Sequence, residues 1–203
     1  MIIYLIRHGE TDWNQRSKIQ GQADIPLNET GRNQAKLVAE EMANTHIDLA
    51  YTSPLRRAKE TAEIFLANKE DCPLRTNQLL KEISYGVGEG QSLHLIHNCP
   101  FLRLYNYFNH PERYTPPQGG ETIPQLKARC QSFFETEICG CEHNYSGVMV
   151  FTHEAFIKAA ISIVNQLPES DFWAGNKTKN CSVTTIKYKN GRFEILSATP
   201  HNK

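Results

Sequence analysis

The amino-acid sequence predicts an α/β fold in which a largely parallel sheet is layered with helices. Three observations predict it. Short apolar runs alternate with segments of helical spacing. Two of those runs, 2–6 (IIYLI) and 147–152 (GVMVFT), are the near-continuous apolar kind that strands covered on both faces require. The chain then ends on Asn190-Gly191 set between two alternating runs, a strong hairpin signal.

The elements follow in order. After the strand at 2–6 comes a polar stretch from Arg7 to about Asn28. Residues 28–30 supply capping side chains, and Ala35, Val38, Ala39 and Met42 give helical spacing across 34–42. Residues 48–52 (DLAYT) read as a second strand. Ser53-Pro54 reads as a helix start, because serine caps and proline lacks only an N–H that the first turn leaves unpaired. Leu55, Ala58, Ala62 and Phe65 then line one face. Residues 73–76 are a weak third strand. The stretch 84–120 is the least regular. It is rich in glycine, proline and aromatics (Phe101, Tyr105, Tyr107, Phe108, Tyr114), and reads as short helices forming a cap. Helical spacing returns over 121–138. After the 147–152 strand, EAFIKAAISIV is a helix apolar on most sides, hence buried. A polar loop past Leu167 leads to the hairpin. The 203 residues make a single domain, 1–203, with a cap insertion at about 84–120. That length buries a core without disulfides or metals.

Composition excludes several classes. The 22 basic and 22 acidic side chains cancel, and no basic run appears, so nucleic acid is not an expected partner. No apolar run approaches the length of a membrane span or a signal-peptide core, so no membrane association is expected and the cytoplasm is the expected compartment. The six cysteines are scattered, as reduced thiols are. Cys139 and Cys141 form a C-x-C pair with no second pair at ligand spacing, so no metal site is expected.

In open α/β sheets ligands bind at the carboxyl ends of the strands. There the sequence places Arg7, His8, Gly9, Glu10, Thr11 and Asn14 after the first strand, Ser53 and Arg57 after the second, Glu82 near the third, and His153 after the 147–152 strand. The set is chemically coherent. Histidine is a nucleophile near neutral pH, with an unperturbed pKa of about 6.5. Guanidinium groups stabilise the charge of a phosphoryl group in transfer. A carboxylic acid can protonate the leaving oxygen and then activate water. Each residue alone has an ordinary structural reading; their convergence carries the argument.

These residues also carry a resemblance. Arg7-His8-Gly9-Glu10-Thr11 matches the signature of the histidine phosphatase superfamily, the phosphoglycerate mutase-like proteins. The match continues through Thr11-Asp12-Trp13-Asn14, Gln20-Gly21, Asp24 to Gly31, Ser53-Pro54-Leu55-Arg56-Arg57-Ala58 with Thr61-Ala62, Leu80-Lys81-Glu82, Gly119 to Thr122, Val150 to His153, and Asn180 to Val183. It covers essentially the whole chain. The resemblance implies a three-layer α/β/α sandwich with a mostly parallel central sheet, one antiparallel edge strand from the C-terminal hairpin, and a small helical cap. It implies that His8 is the nucleophile that becomes phosphohistidine. Arg7, Arg57 and His153 would clamp the phosphoryl group, with Glu82 as general acid and then base. Asn14, Gln20 and Gly21 would line the phosphate and substrate side, and no metal or cofactor would be required. The expected activity is hydrolysis of a small phosphorylated metabolite, as in α-ribazole phosphatase-like and broad-specificity phosphatases.

Two positions depart from the family pattern. Glu154 stands where glycine usually follows the second histidine. It either caps the buried helix at its positive end, the simpler reading, or selects a substrate bearing an amine or many hydroxyls. Val87-Gly88 replaces the D-W of phosphatase relatives, while Tyr85 sits where mutases also place a tyrosine. Against a mutase, Leu93 occupies the place of their extra lysine, and Arg103 and Arg113 are isolated rather than paired. Mutase-type phosphoryl transfer and a non-catalytic phospholigand-binding module are the alternatives. Edge pairing through the C-terminal hairpin would give a homodimer.

Overall fold

A computed structural model describes residues 1–69, 71–141, 144–175 and 178–199. The apolar runs become strands: β1 (Ile2–Arg7), β2 (Leu49–Thr52), β3 (Leu74–Thr76), β4 (Gly147–Thr152), β5 (Val183–Lys189) and β6 (Arg192–Thr199). They form one sheet of order β3-β2-β4-β1-β5-β6. The first four strands run parallel, β5 runs antiparallel to β1, and β6 pairs antiparallel with β5. The strand that runs against the others is therefore β5, one place inside the edge formed by β6.

Alternation along the strands fills both faces. Ile3, Leu5, Leu49, Tyr51, Val148 and Val150 pack with Phe133, Phe156 and Ile157 on one side. Ile6, Ala50, Met149 and Phe151 pack with Ala35, Val38, Ala62 and Phe65 on the other. The first face is covered by α6 (Ile123–Phe133) and α7 (Glu154–Val164), the second by α2 (Glu29–Glu41) and α3 (Arg56–Leu66). The three-layer sandwich follows.

Asn28 caps α2, accepting from Gly31 N–H at 2.8 Å, as the capping side chains at 28–30 predict. Other helix starts differ from expectation. A four-residue helix, α1 (Asp12–Gln15), is closed by a Thr11–Asn14 capping box inside the stretch read as polar loop. Ser53-Pro54 does not open α3. The helix begins at Arg56, whose N–H is held at 2.7 Å by Asp24 Oδ1 from a distant loop. Helical spacing over 121–138 resolves into α6 followed by a wider π turn at 134–138.

The stretch 84–120 carries α4 (Leu93–Asn98) and α5 (Arg103–Asn109) with single turns between. Tyr107 is fully buried among Tyr85, Phe108, Tyr114, Phe172 and Trp173. The Trp173 indole donates to the Tyr107 carbonyl at 2.7 Å, tying the cap to the loop after α7. Among the described residues no helix is long and apolar enough to cross a membrane.

Candidate active site

Strand register brings the site together. β1 and β4 pair with Arg7 opposite Thr152, so His8 and His153 leave the sheet side by side, with ring centroids 5.2 Å apart. β2 pairs with β4 one residue earlier, Thr52 opposite Phe151, which sets Ser53 beside His153. The loop after β1 reaches the sheet because two glycines meet: a Cβ on Gly31 would lie 2.1 Å from the Glu10 carbonyl oxygen, and one on Gly9 would lie 2.5 Å from that of Gly31. Gly9 N–H donates to Thr61 Oγ1 at 3.0 Å, and that hydroxyl donates to the Arg57 carbonyl at 2.6 Å, so α3 and the His8 loop are one unit.

The hydrogen bonds of His8 fix its chemistry. Nδ1 faces the Gly9 carbonyl at 2.7 Å and so carries the proton. Nε2, left with the lone pair, receives Arg57 Nε–H at 3.2 Å. Burial, reinforced by the charges of Arg57 and Arg7, holds this imidazole well below its ordinary pKa, so it is neutral.

Arg57 is fully buried at the start of α3, its other nitrogens donating to the Ala23 carbonyl at 2.8 Å and the Gly21 carbonyl at 2.7 Å. Burial lowers it to about 10, which leaves it charged at neutral pH. Gly21 sits at φ +56, and a Cβ there would strike Glu89. Arg7 donates to the Thr178 carbonyl and pairs with Glu154 at 3.1 Å, while its Nε is buried without a protein partner. His153 is fully buried, its Nε2 set 2.8 Å from Ser53 Oγ and its Nδ1 without a protein partner. Ser53, read from sequence as a helix cap, is thus engaged with a histidine a hundred residues on.

Glu82 is buried, its carboxylate accepting Ile83 N–H at 2.9 Å and Ala155 N–H at 3.4 Å. Burial raises its pKa, opposed by the Ile83 bond and the nearby Arg57 charge. Arg129 holds its segment: one guanidinium nitrogen bridges the Leu79 and Lys81 carbonyls, both at 2.6 Å, while the other two grip Glu121 at 2.7 and 2.9 Å.

A cavity of about 340 Å³ is lined by Arg7, His8, Asn14, Gln20, Gly21, Arg57, Glu82, Tyr85 and Glu154, among others. His153 is fully buried with its ring 5.2 Å from that of His8 and is not among the lining residues. Asn14 Oδ1 closes the α1 capping box and meets Asn180 Nδ2 at 3.4 Å, which also donates to the His8 carbonyl at 3.0 Å. Gln20 Oε1 is buried without a protein partner. Tyr85 is buried, its hydroxyl raised well above the ordinary range by burial. Glu154 begins α7, where a carboxylate suits the helix dipole, yet its side chain turns to Arg7 and the cavity rather than to a cap hydrogen bond.

The cavity is also lined by residues that the sequence did not mark as site residues: Lys18, Leu93, Phe108, Lys158 and Trp173. Lys158 had a signal, being the sole charge within the apolar run 155–164. Among the described residues no group of three or more His, Cys, Asp or Glu is placed to hold a metal. The arrangement sets a neutral imidazole, fixed cations and a buried carboxyl of raised pKa around one space.

Comparison with known proteins agrees with the architecture. The sequence profile of the histidine phosphatase superfamily (branch 1) matches residues 3–199. A Schizosaccharomyces pombe protein named as a probable phosphatase is 34% identical over 157 residues, 77% of this chain and 70% of that one. A Proteus mirabilis protein named as a probable phosphoglycerate mutase is 31% identical over 190 residues, 93% of this chain and 85% of that one. The solved structure of an Entamoeba histolytica phosphoserine phosphatase mutant with phosphoserine superposes at TM-score 0.82 with 26% identity, covering 97% of this chain and 95% of that one. With that register, that cavity and that profile along nearly its whole length, the chain belongs to the histidine phosphatase superfamily, branch 1.

Proposed function

We propose that this protein hydrolyses a phosphomonoester of a small metabolite through a covalent phosphohistidine on His8. The observation that carries the reading is the orientation of His8: the Gly9 carbonyl holds the Nδ1 proton, leaving the Nε2 lone pair beside Arg57. In the first step Nε2 attacks phosphorus in line and the bond to the ester oxygen breaks. Glu82 gives that oxygen its proton, releasing an alcohol. In the second step the Glu82 carboxylate takes a proton from water, the hydroxyl oxygen attacks phosphorus, and the electron pair of the N–P bond returns to Nε2. The buried Arg7 Nε and His153 Nδ1, with Arg57, supply donors for the charge that develops. Relatives named as phosphatases, and one solved with a small phosphorylated compound, support the substrate class.

The test is release of inorganic phosphate from p-nitrophenyl phosphate, sugar phosphates, a nucleoside monophosphate and 3-phosphoglycerate in excess EDTA, for wild type and His8→Ala. Turnover in EDTA that vanishes in the variant is expected. Absence of release from every compound by folded protein would overturn the hydrolase reading. The mutase-named relative favours a second reading, in which the phosphoryl group returns to substrate instead of to water. A bisphosphorylated intermediate trapped during turnover of 3-phosphoglycerate would establish it.

A further inference from the structure

Three consecutive residues at the start of α7 touch three parts of the site. The His153 ring lies beside that of His8, with centroids 5.2 Å apart. Glu154 pairs with Arg7 Nη1 at 3.1 Å. Ala155 N–H binds the Glu82 carboxylate at 3.4 Å. Glu154 thus adjoins both a cation of the phosphoryl clamp and the acid, and all three side chains line one cavity.

The pair decides how Arg7 is used. Its Nη1 donates to the Thr178 carbonyl as well as to Glu154, so one end of the guanidinium is held from two sides. Its Nε is buried with no partner among the described residues. A guanidinium is a rigid planar fork, so anchoring one end sets where the other points. The charge acts as well. A carboxylate at this place opposes a phosphate dianion and favours the protonated form of a neighbouring carboxyl. Burial is the main cause that raises the Glu82 pKa; the Ile83 N–H and Arg57 oppose it, Glu154 adds to it, and Arg7 opposes it. The first turn of a helix suits any acidic residue, but that interaction needs no contact with Arg7.

We infer that Glu154 is a positioning residue of the phosphoryl site: it anchors the Nη1 end of Arg7, sets Nε for the phosphoryl oxygens, and holds a fixed negative charge beside Glu82 that weakens retention of the product anion. This rests on the phosphohydrolase reading and adds a residue to it. It also gives a task to a carboxylate at a position where the family usually has glycine.

The test compares wild type, Glu154→Gln and Glu154→Ala. Glutamine keeps an oxygen to which Arg7 can donate and loses the charge; alanine loses both. In Glu154→Gln the alkaline limb of kcat/KM on an alkyl phosphate should move to lower pH. Inorganic phosphate should inhibit that variant at roughly tenfold lower concentration, because one repulsive charge is gone. In Glu154→Ala kcat should fall by a further factor of about ten, with KM changed less, as Arg7 loses its anchor. An alkaline limb or a phosphate inhibition constant that stays as in wild type in Glu154→Gln would overturn the inference, as would equal kcat in the two variants; a change in urea stability alone is what a helix-dipole role predicts. Calorimetric binding of inorganic phosphate to the folded proteins reads the clamp without turnover. Tighter binding by Glu154→Gln would uphold the inference even if wild type hydrolysed no ester, whereas equal binding would overturn it.

Discussion

Burial pushes Glu82 and His8 in opposite directions, Glu82 up and His8 down. The proposed chemistry needs both, because His8 must be neutral while Glu82 is protonated. At unperturbed values of about 4.3 and 6.5 the two states overlap only slightly; the opposite shifts widen that overlap. The pH profile of kcat/KM should therefore have an acid limb set by the lowered histidine and an alkaline limb set by the raised carboxyl. Glu82→Gln should remove the alkaline limb and lower kcat about 10²–10⁴-fold on alkyl esters. The same shifts act on stability. A raised carboxyl contributes stability at low pH that is lost as pH rises through its folded value, so Glu82→Gln should leave the fold as stable or more stable at pH 7. His8 and His153 are both lowered, and their contribution is present above pH 6.5 and lost below it. Unfolding free energies from urea melts should fall from pH 7 toward 5.5, by up to about 1.4 kcal/mol per pH unit for each histidine, with a shallower slope in His8→Asn. At this scale the sequence named the polar residues at the strand ends, His8, Arg7, Arg57 and Glu82 among them, that the structure gathers around one cavity. It was silent on tautomer and charge state, because those are set by a carbonyl, two guanidinium groups and burial that no local pattern encodes.

Among the elements, the strands were readable because β1 and β4 are covered on both faces and so are apolar throughout. The start of α3 was not, because its cap is Asp24, thirty-two positions upstream, while the local Ser53 serves His153. Long-range caps leave no mark in the flanking residues. The join between the His8 loop and α2 has its own test. Gly31→Ala would press a methyl group into the Glu10 backbone, and overpacking of that kind costs about 1–3 kcal/mol. The loss should show in urea melts, along with a fall in kcat, since the Gly9 contact shifts with it. Arg129 acts on another element, the 79–84 segment that carries Glu82. Arg129→Gln should lower kcat more than it raises KM and move the alkaline limb of the pH profile, a change that general destabilisation would not produce.

The molecule as a whole divides into a regular sandwich, legible from periodicity, and a cap legible only as irregular. Its aromatics show in the sequence only as members of short cap helices; Tyr107 and its neighbours form a buried cluster that joins the cap to the loop after α7. Trp173→Ala should destabilise by about 2–3 kcal/mol, less than the 3–5 of a wholly buried tryptophan because Trp173 is half-buried. It should also raise KM, since the same ring lines the cavity. The walls supplied by Phe108, Lys158 and Trp173 come from three separate stretches of chain, which is why the sequence named the reacting end of the site and not its far end.

The buried Arg7 Nε and His153 Nδ1 have a consequence for the protein at rest. Groups that suit a substrate's phosphoryl oxygens suit orthophosphate equally well. In a phosphate-rich medium the standing population would be the product complex, and turnover would be limited by how fast the anion leaves. Phosphate at a hundred times its dissociation constant would raise unfolding stability by about 2.7 kcal/mol. Protein dialysed free of the anion should accordingly melt lower and start faster than the same protein kept in phosphate buffer.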